Sequence, residues 1–242
     1  MIPGFRFKLN PLMLFLFLLF FSVFSALSFW QGQRVIHKQQ VLAEIQTANS
    51  SLPYPLLRLT DEQVLAHRYY RAGARGRFKS EDCLYVENVV FNGQPGLYLY
   101  CPFVIENDDR PLLVNMGWLK KPADRLNLPP ISVSGETTDI EGVIQLPRSR
   151  PVVTAGVDKP NTELEKLWVY FDFEYLKKET GLDYYPIELQ LSSAISPVLE
   201  RDWPQYEAKI GMHIGYAIHW AAFALATLIL FIKFNFKRTK YE

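Results

Sequence analysis

Two long apolar runs bracket a stretch of mixed polar and apolar sequence. Residues 9–33 carry no acidic or basic side chain, and 12–30 are almost wholly apolar. Residues 210–232 form a second run of 23 positions without Asp, Glu, Lys or Arg. At about 1.5 Å per residue, either run as a helix is long enough to cross roughly 30 Å of hydrocarbon. Beyond the first run, Val35, Val41, Leu42 and Ile45 recur among polar residues, a spacing that predicts a helix continuing over 34–48. Pro53 and Pro55 then break it. Thr60 followed by Gln63 is a capping-box pattern and predicts a short helix over 61–67.

From residue 70 the pattern changes to short runs, most of them rich in aromatic and β-branched residues. Strands are predicted over 74–78, 84–91, 97–105, 111–118, 131–134, 142–146, 168–171 and 185–191. Asn92-Gly93-Gln94-Pro95-Gly96 and Glu106-Asn107-Asp108-Asp109 separate neighbouring runs with turn residues. Asp172 is placed to cap a helix over 173–180, with Gly181 just past its end. The pattern predicts an α+β membrane protein. Two transmembrane helices flank a mostly antiparallel β domain, a curled or barrel-like sheet with short helices.

Charge orients this plan. Six of the 26 Lys and Arg residues lie at the tips (Arg6, Lys8, Lys233, Lys237, Arg238, Lys240), against one of the 25 acids, Glu242, so the stretch between them carries −4. The positive-inside rule then places both tips in the cytoplasm of a bacterial inner membrane. The expected division is a cytoplasmic tip (1–10), a membrane helix (11–31), a periplasmic domain (32–209), a second membrane helix (210–232) and a basic cytoplasmic tail (233–242). Ala26-Leu27-Ser28 also resembles a signal-peptidase site. The length of the apolar run and Trp30 at its end favour an uncleaved helix. A net charge of +1 argues against a nucleic-acid partner.

The chain holds no G-x-S-x-G, H-E-x-x-H, Walker loop, G-x-G-x-x-G, C-x-x-C or C-x-x-C-H. No residue set therefore points to an enzyme. Cys83 and Cys101 are the only cysteines. A hairpin centred on Gln94 sets Cys101 opposite Glu87, four residues from Cys83. That is about 13 Å along a strand, so the expectation is two separate, partly buried thiols.

The second apolar run holds the candidate chemistry. At about 100° per residue, His213, Ala217, Trp220 and Ala224 share one helix face, bordered by Tyr216. Trp220 lies about 10 Å deeper than His213, and His219 points about 120° away. Imidazole can ligate iron, indole offers a stacking surface, and alanines leave room for a macrocycle or a neighbouring helix. Interface anchoring by Trp and Tyr, and a histidine bonded to headgroups or a loop carbonyl, are the alternatives.

Several stretches resemble the Surfeit locus protein 1 family, membrane factors for cytochrome c oxidase assembly. Trp30-Gln31 with Arg34 and Lys38 is similar to the family's W-Q-x-x-R-x-x-x-K, and Arg75-Gly76-Arg77-Phe78 to its R-G-x-F. Residues 96–102 are similar to its strand opening in glycine and ending in proline. Val114-Asn115-Met116-Gly117-Trp118 is similar to its V-N-R-G-W, and His213, Tyr216-Ala217 and Trp220 to its H-x-x-Y-A-x-x-W. Ser28, Leu97, Met116 and His219 depart from the pattern. Met116 replaces an arginine, so a docking role for that charge does not carry over. The resemblance implies a protein that holds haem A and aids its insertion into the oxidase large subunit. His213 would be the axial ligand of the haem iron, Trp220 a pocket wall and Tyr216 a lesser contact. Haem A synthase and the lipid bilayer are the further implied partners. The alternative is a scaffold that stabilises an oxidase intermediate without binding haem.

Overall fold

The computed structural model describes residues 5–7, 9–124, 127–130, 133–147, 159–160, 164–192, 199–203 and 206–238. It divides into two compact units, one of residues 1–43 with 205–242 and one of residues 44–204.

The first unit is a helical pair. Strand β1 (Phe5–Phe7) precedes helix α1 (Pro11–Asn49), and helix α4 (Ile210–Asn235) runs into strand β10 (Phe236–Arg238). β1 and β10 pair antiparallel, with Arg6 opposite Lys237. Asn10 caps α1: its side-chain oxygen accepts from the amides of Leu12 (3.0 Å) and Met13 (3.4 Å). Pro11 follows at the first helical position, where a missing N–H costs nothing. α1 is one unbroken helix of 39 residues. The predicted extension beyond the apolar run is therefore observed, and the last turn of α1 belongs to the second unit. Both helices are long and apolar enough to cross a membrane.

The second unit is a mixed sheet with two short helices. Its strands are β2 (Tyr54–Pro55), β3 (Arg71–Phe78), β4 (Leu84–Phe91), β5 (Gln94–Ile105), β6 (Pro111–Lys120), β7 (Thr138–Gln145), β8 (Leu167–Trp168) and β9 (Glu188–Leu191). Helix α2 (Asp61–Ala66) starts on the predicted capping box: Thr60 Oγ1 accepts from Gln63 N, and Gln63 Oε1 accepts from Thr60 N. Helix α3 (Phe173–Thr180) lies where predicted, with the Asp172 carboxylate accepting from Tyr175 N at 2.9 Å. Gly181 ends it at φ 66°, in the left-handed region that suits glycine.

The strand order is β2-β3-β7-β9-β6-β5-β4-β8, with a further β3–β5 pairing. Five of the eight pairings are antiparallel, and β2–β3, β4–β8 and β6–β9 are parallel. The expected antiparallel majority is present, and the β3–β5 pairing curls β3, β7, β9, β6 and β5 into a ring. The eight-stranded sheet as a whole is not a closed barrel: among the described residues the two-residue strands β2 and β8 each pair on one side only and leave it two edges. Of the strand expected over 131–134, residues 131–132 lie outside the described residues and 133–134 are not in a strand.

Alternation along the strands builds a core on each side. Leu97, Leu99, Cys101, Phe103 and Ile105 of β5 face one cluster with Val114, Ile144 and Leu189. Tyr98 and Tyr100 face the other, with Trp118, Trp168, Phe171 and α3 residue Leu176.

The β4–β5 hairpin differs from the expectation and joins the two cysteines. Phe91 pairs with Gln94, so the turn is the two-residue Asn92-Gly93, with φ of 48° and 74°. Asn-Gly suits such a turn because both positions need positive φ. A bulge at Glu87-Asn88 shifts the register by one more residue and brings Leu84 opposite Tyr100. The next residues outward are Cys83 and Cys101, which form a disulfide with Cα atoms 4.2 Å apart. The expectation of separate thiols rested on the wrong turn centre and is corrected.

The segment 114–118 is structural. Leu99 pairs with Gly117 and Tyr100 with Asn115, so Met116 is the extra residue of a bulge. Met116 is fully buried in the core, hence not at a docking surface. Gly117, at φ 135°, leaves room for the backbone of Glu200; a Cβ there would lie 2.8 Å from the Glu200 carbonyl oxygen. Trp118 and Glu200 exchange both backbone hydrogen bonds, at 2.8 and 2.7 Å. The Trp118 indole covers Gly96, where a Cβ would stand 2.1 Å from the ring.

Candidate functional site

The candidate residues fall in the helical unit, on the seam where α1 and α4 pack antiparallel. On α1 the seam follows Asn10, Phe17, Phe24, Ser28 and Gln31; on α4 it follows His213, Ala217, Trp220, Phe231 and Asn235. Steps of three, four, seven and eleven keep these positions on one helix face each. Gln31 meets His213, Ser28 Oγ donates to Ala217 O at 2.9 Å, and Phe24 stacks on Trp220 with centroids 5.8 Å apart. Farther along, Phe17 stacks on Phe231 at 4.5 Å. The amide of Asn10 donates to the side-chain oxygen of Asn235 at 3.0 Å. Asn235, 1 % exposed, donates in turn to Phe231 O at 2.8 Å. Polar contacts thus sit at both ends of the seam and aromatic contacts between them. This suits an apolar surrounding, in which polar side chains need partners and close packing drives association.

His213 is half-buried, and its Nδ1 lies 2.8 Å from Gln31 Oε1. An amide oxygen only accepts, so the imidazole Nδ1 carries the proton. In the neutral ring, Nε2 then keeps its lone pair, and it has no hydrogen-bond partner among the described residues. An imidazole held at one nitrogen with the other free is the usual form of a metal-ligating histidine.

The predicted residues are only partly brought together. His213 and Trp220 both lie on the seam. Trp220 is packed by Phe24 and, edge-on, by Phe223 at 5.8 Å, so part of the expected pocket face is occupied by the neighbouring helix. Tyr216 is 50 % exposed, off the seam. His219 is exposed on another face and bonds its own helix, Nδ1 to Gly215 O at 2.7 Å. An open groove of about 420 Å³ runs along the helix pair, lined by Ser25, Ser28, Ala221 and Ala224 among others; neither His213 nor Trp220 lines it. Gln31, which the sequence reading quotes only within the W-Q-x-x-R-x-x-x-K stretch, is the contact to His213 that it did not foresee. An amide beside an apolar run needs a partner, and that cost was the signal available.

Among the described residues no group of three His, Cys, Asp or Glu side chains is placed to hold a metal ion.

The sheet unit has one polar network of note. Asp108 accepts from Arg58 N and Tyr185 Oη, each at 2.6 Å, and from Arg110 N at 3.0 Å. Burial alone would raise the Asp108 pKa. The bonds from Tyr185, Arg110 and Arg58 and the Arg110 charge outweigh it and hold the carboxyl below its ordinary value. Burial, then the bond to Asp108, pushes the Tyr185 phenol up to about 12. The guanidinium of Arg110 lies over the Tyr185 ring at 4.4 Å and pairs with Asp61 at 2.7 Å. These groups satisfy one another and tie the 106–110 turn to the start of α2.

The sequence model of the SURF1 family matches residues 18–225. The chain is 26 % identical to Surfeit locus protein 1 of Rattus norvegicus, over 92 % of this chain and 76 % of that protein. It is 26 % identical to a SURF1-like protein of Rickettsia felis, over 89 % and 93 % respectively. It is 24 % identical to the cytochrome oxidase assembly protein SHY1 of Saccharomyces cerevisiae; there the match takes in 66 % of this chain but only 41 % of the yeast protein's length.

Proposed function

Because the chain belongs to the SURF1 family, we propose that it serves the assembly of a cytochrome oxidase by holding haem A and passing it to the oxidase large subunit. The observation that carries the haem reading is the His213 imidazole, fixed at Nδ1 by Gln31 and free at Nε2, within the uncharged apolar run 210–232. When bound, haem A would supply an iron that an imidazole can ligate. His213 would offer Nε2 to it, Trp220 an aromatic wall and Tyr216 a further contact. Arg34 and Lys38, one and two turns beyond Gln31 on α1, supply positive charge for the porphyrin's carboxylates. One histidine ligand would hold iron more loosely than two, which suits a carrier that must release its load. The enzyme that makes haem A is the natural donor.

The same reading places residues 11–31 and 210–232 across a bacterial inner membrane, both tips in the cytoplasm and the sheet unit in the periplasm. The basic tips support this orientation. So does the Cys83–Cys101 disulfide, since such bonds persist in oxidising compartments.

A second reading, a scaffold that grips an oxidase intermediate without haem, draws on the packing of Trp220 against Phe24, a contact that the indole makes without any cofactor. Deletion and complementation separate the two. Deletion should lower the haem A content and activity of the membrane oxidase; a fully pigmented, active oxidase under all growth conditions would overturn the assembly role. Complementation with His213→Ala should fail if His213 holds the haem. Full rescue by that variant would leave only the scaffold.

A further inference from the structure

We infer that Gln31 is the positioning residue for His213, its amide oxygen accepting the Nδ1 proton and so setting both the tautomer and the aim of the ring. The two side chains come from different helices and meet at 2.8 Å. Gln31 is 8 % exposed, an amide withdrawn from water whose oxygen is satisfied by this contact. A histidine side chain in water favours the tautomer with the proton on Nε2, which would block that nitrogen as a ligand. Donation of the Nδ1 proton to Gln31 reverses the preference and leaves the Nε2 lone pair free. It also holds the ring against the opposing helix, so the aim of Nε2 depends on the register of the α1–α4 seam. His219 supplies the contrast. Its Nδ1 bonds a carbonyl of its own helix, so its tautomer is fixed without α1.

The consequence for ligation rests on the reading of His213 as a haem ligand; the tautomer does not, and the experiment keeps the two apart. The full chain is purified in detergent with 15N-labelled histidine, and His213→Ala assigns the signal. The chain has four histidines, so the spectrum is tractable. His213 should carry its proton on Nδ1. Gln31→Leu should move it to Nε2, and Gln31→Glu, whose carboxylate also accepts, should keep it on Nδ1. His219 should be unchanged in every variant. A titration with ferric haem b should then show affinity 10- to 100-fold weaker in Gln31→Leu, the usual loss on removing a partner of a metal-ligating histidine. Gln31→Glu should restore it to within about threefold.

A wild-type His213 protonated on Nε2 overturns the inference, as does an unchanged tautomer in Gln31→Leu. If Gln31→Leu does not fold, Gln31→Glu decides: a proton on Nε2 in that variant contradicts the assignment. Should the tautomer respond as stated while haem affinity is indifferent to His213→Ala, the positioning role stands and the haem reading falls.

Discussion

Reducing the Cys83–Cys101 bridge should destabilise the sheet unit by an amount its position predicts. The two cysteines are 18 residues apart in sequence, with the bulged β4–β5 hairpin between them. Closing a loop of that length in the unfolded chain removes about 11 cal/mol/K, which is about 3 kcal/mol at 25 °C. Both residues are buried, at 1 % and 0 % exposure, so the freed thiols keep their packing and the loss is chiefly that of the cross-link. Reduction is a cleaner perturbation than substitution, because it leaves every side chain in place. The assay is urea unfolding of the full chain in detergent, oxidised against reduced, followed by tryptophan fluorescence; Trp118 and Trp168 lie in the core beside the hairpin. With a denaturant slope of roughly 2 kcal/mol/M, the midpoint should fall by about 1.5 M. Thiol labelling of the oxidised protein in denaturant should find no free cysteine. Two reactive thiols without reductant, or a midpoint unmoved by reduction, would refute the register that joins them.

Other substitutions test the rest of the fold. Gly96→Ala sets a methyl 2.1 Å from the Trp118 indole, and Gly117→Ala adds a side chain at φ 135° against the Glu200 carbonyl. Each should cost about 2–4 kcal/mol in denaturant unfolding. Asp108→Ala removes the acceptor shared by Tyr185, Arg58 and Arg110 and should cost about 2–3 kcal/mol at neutral pH. The Asp108 pKa is lowered by folding, so its contribution is present above the ordinary carboxylate range and lost as pH falls through the lowered value. The variant's stability should therefore depend less on pH in acid than the wild type's. Ser28→Ala removes the bond to Ala217 O and should weaken the helix pair by about 0.6 kcal/mol, measured by unfolding in micelles.

Local signals in the sequence were read well, and pairing between distant segments was not. The Thr60–Gln63 box and the Asp172…Gly181 frame placed α2 and α3 because a helix end is decided within four residues. The strand texture located most of the sheet. The hairpin failed on one choice, taking the turn at Gln94 instead of at Asn92-Gly93, and the bulge at Glu87-Asn88 compounded it. The turn choice displaced the register by three residues and the bulge by one more, which together hid the disulfide. The parallel pairings of β8 with β4 and of β9 with β6 join segments far apart in sequence, and nothing local announces them. In α4 the helical period grouped His213, Ala217 and Trp220 on one face, and all three lie on the seam with α1. It did not say that α1 would cover that face, nor that Gln31 would reach His213. A period shows which side chains share a face and is silent on what lies opposite.

The claim that matters most is that the His213 imidazole holds haem A. The direct measurement is the visible absorption spectrum of the full chain, purified from cells making haem A, beside His213→Ala prepared identically. The wild type should carry a haem A spectrum that the variant lacks. A colourless wild type, or a variant with the same pigment in the same amount, would contradict it.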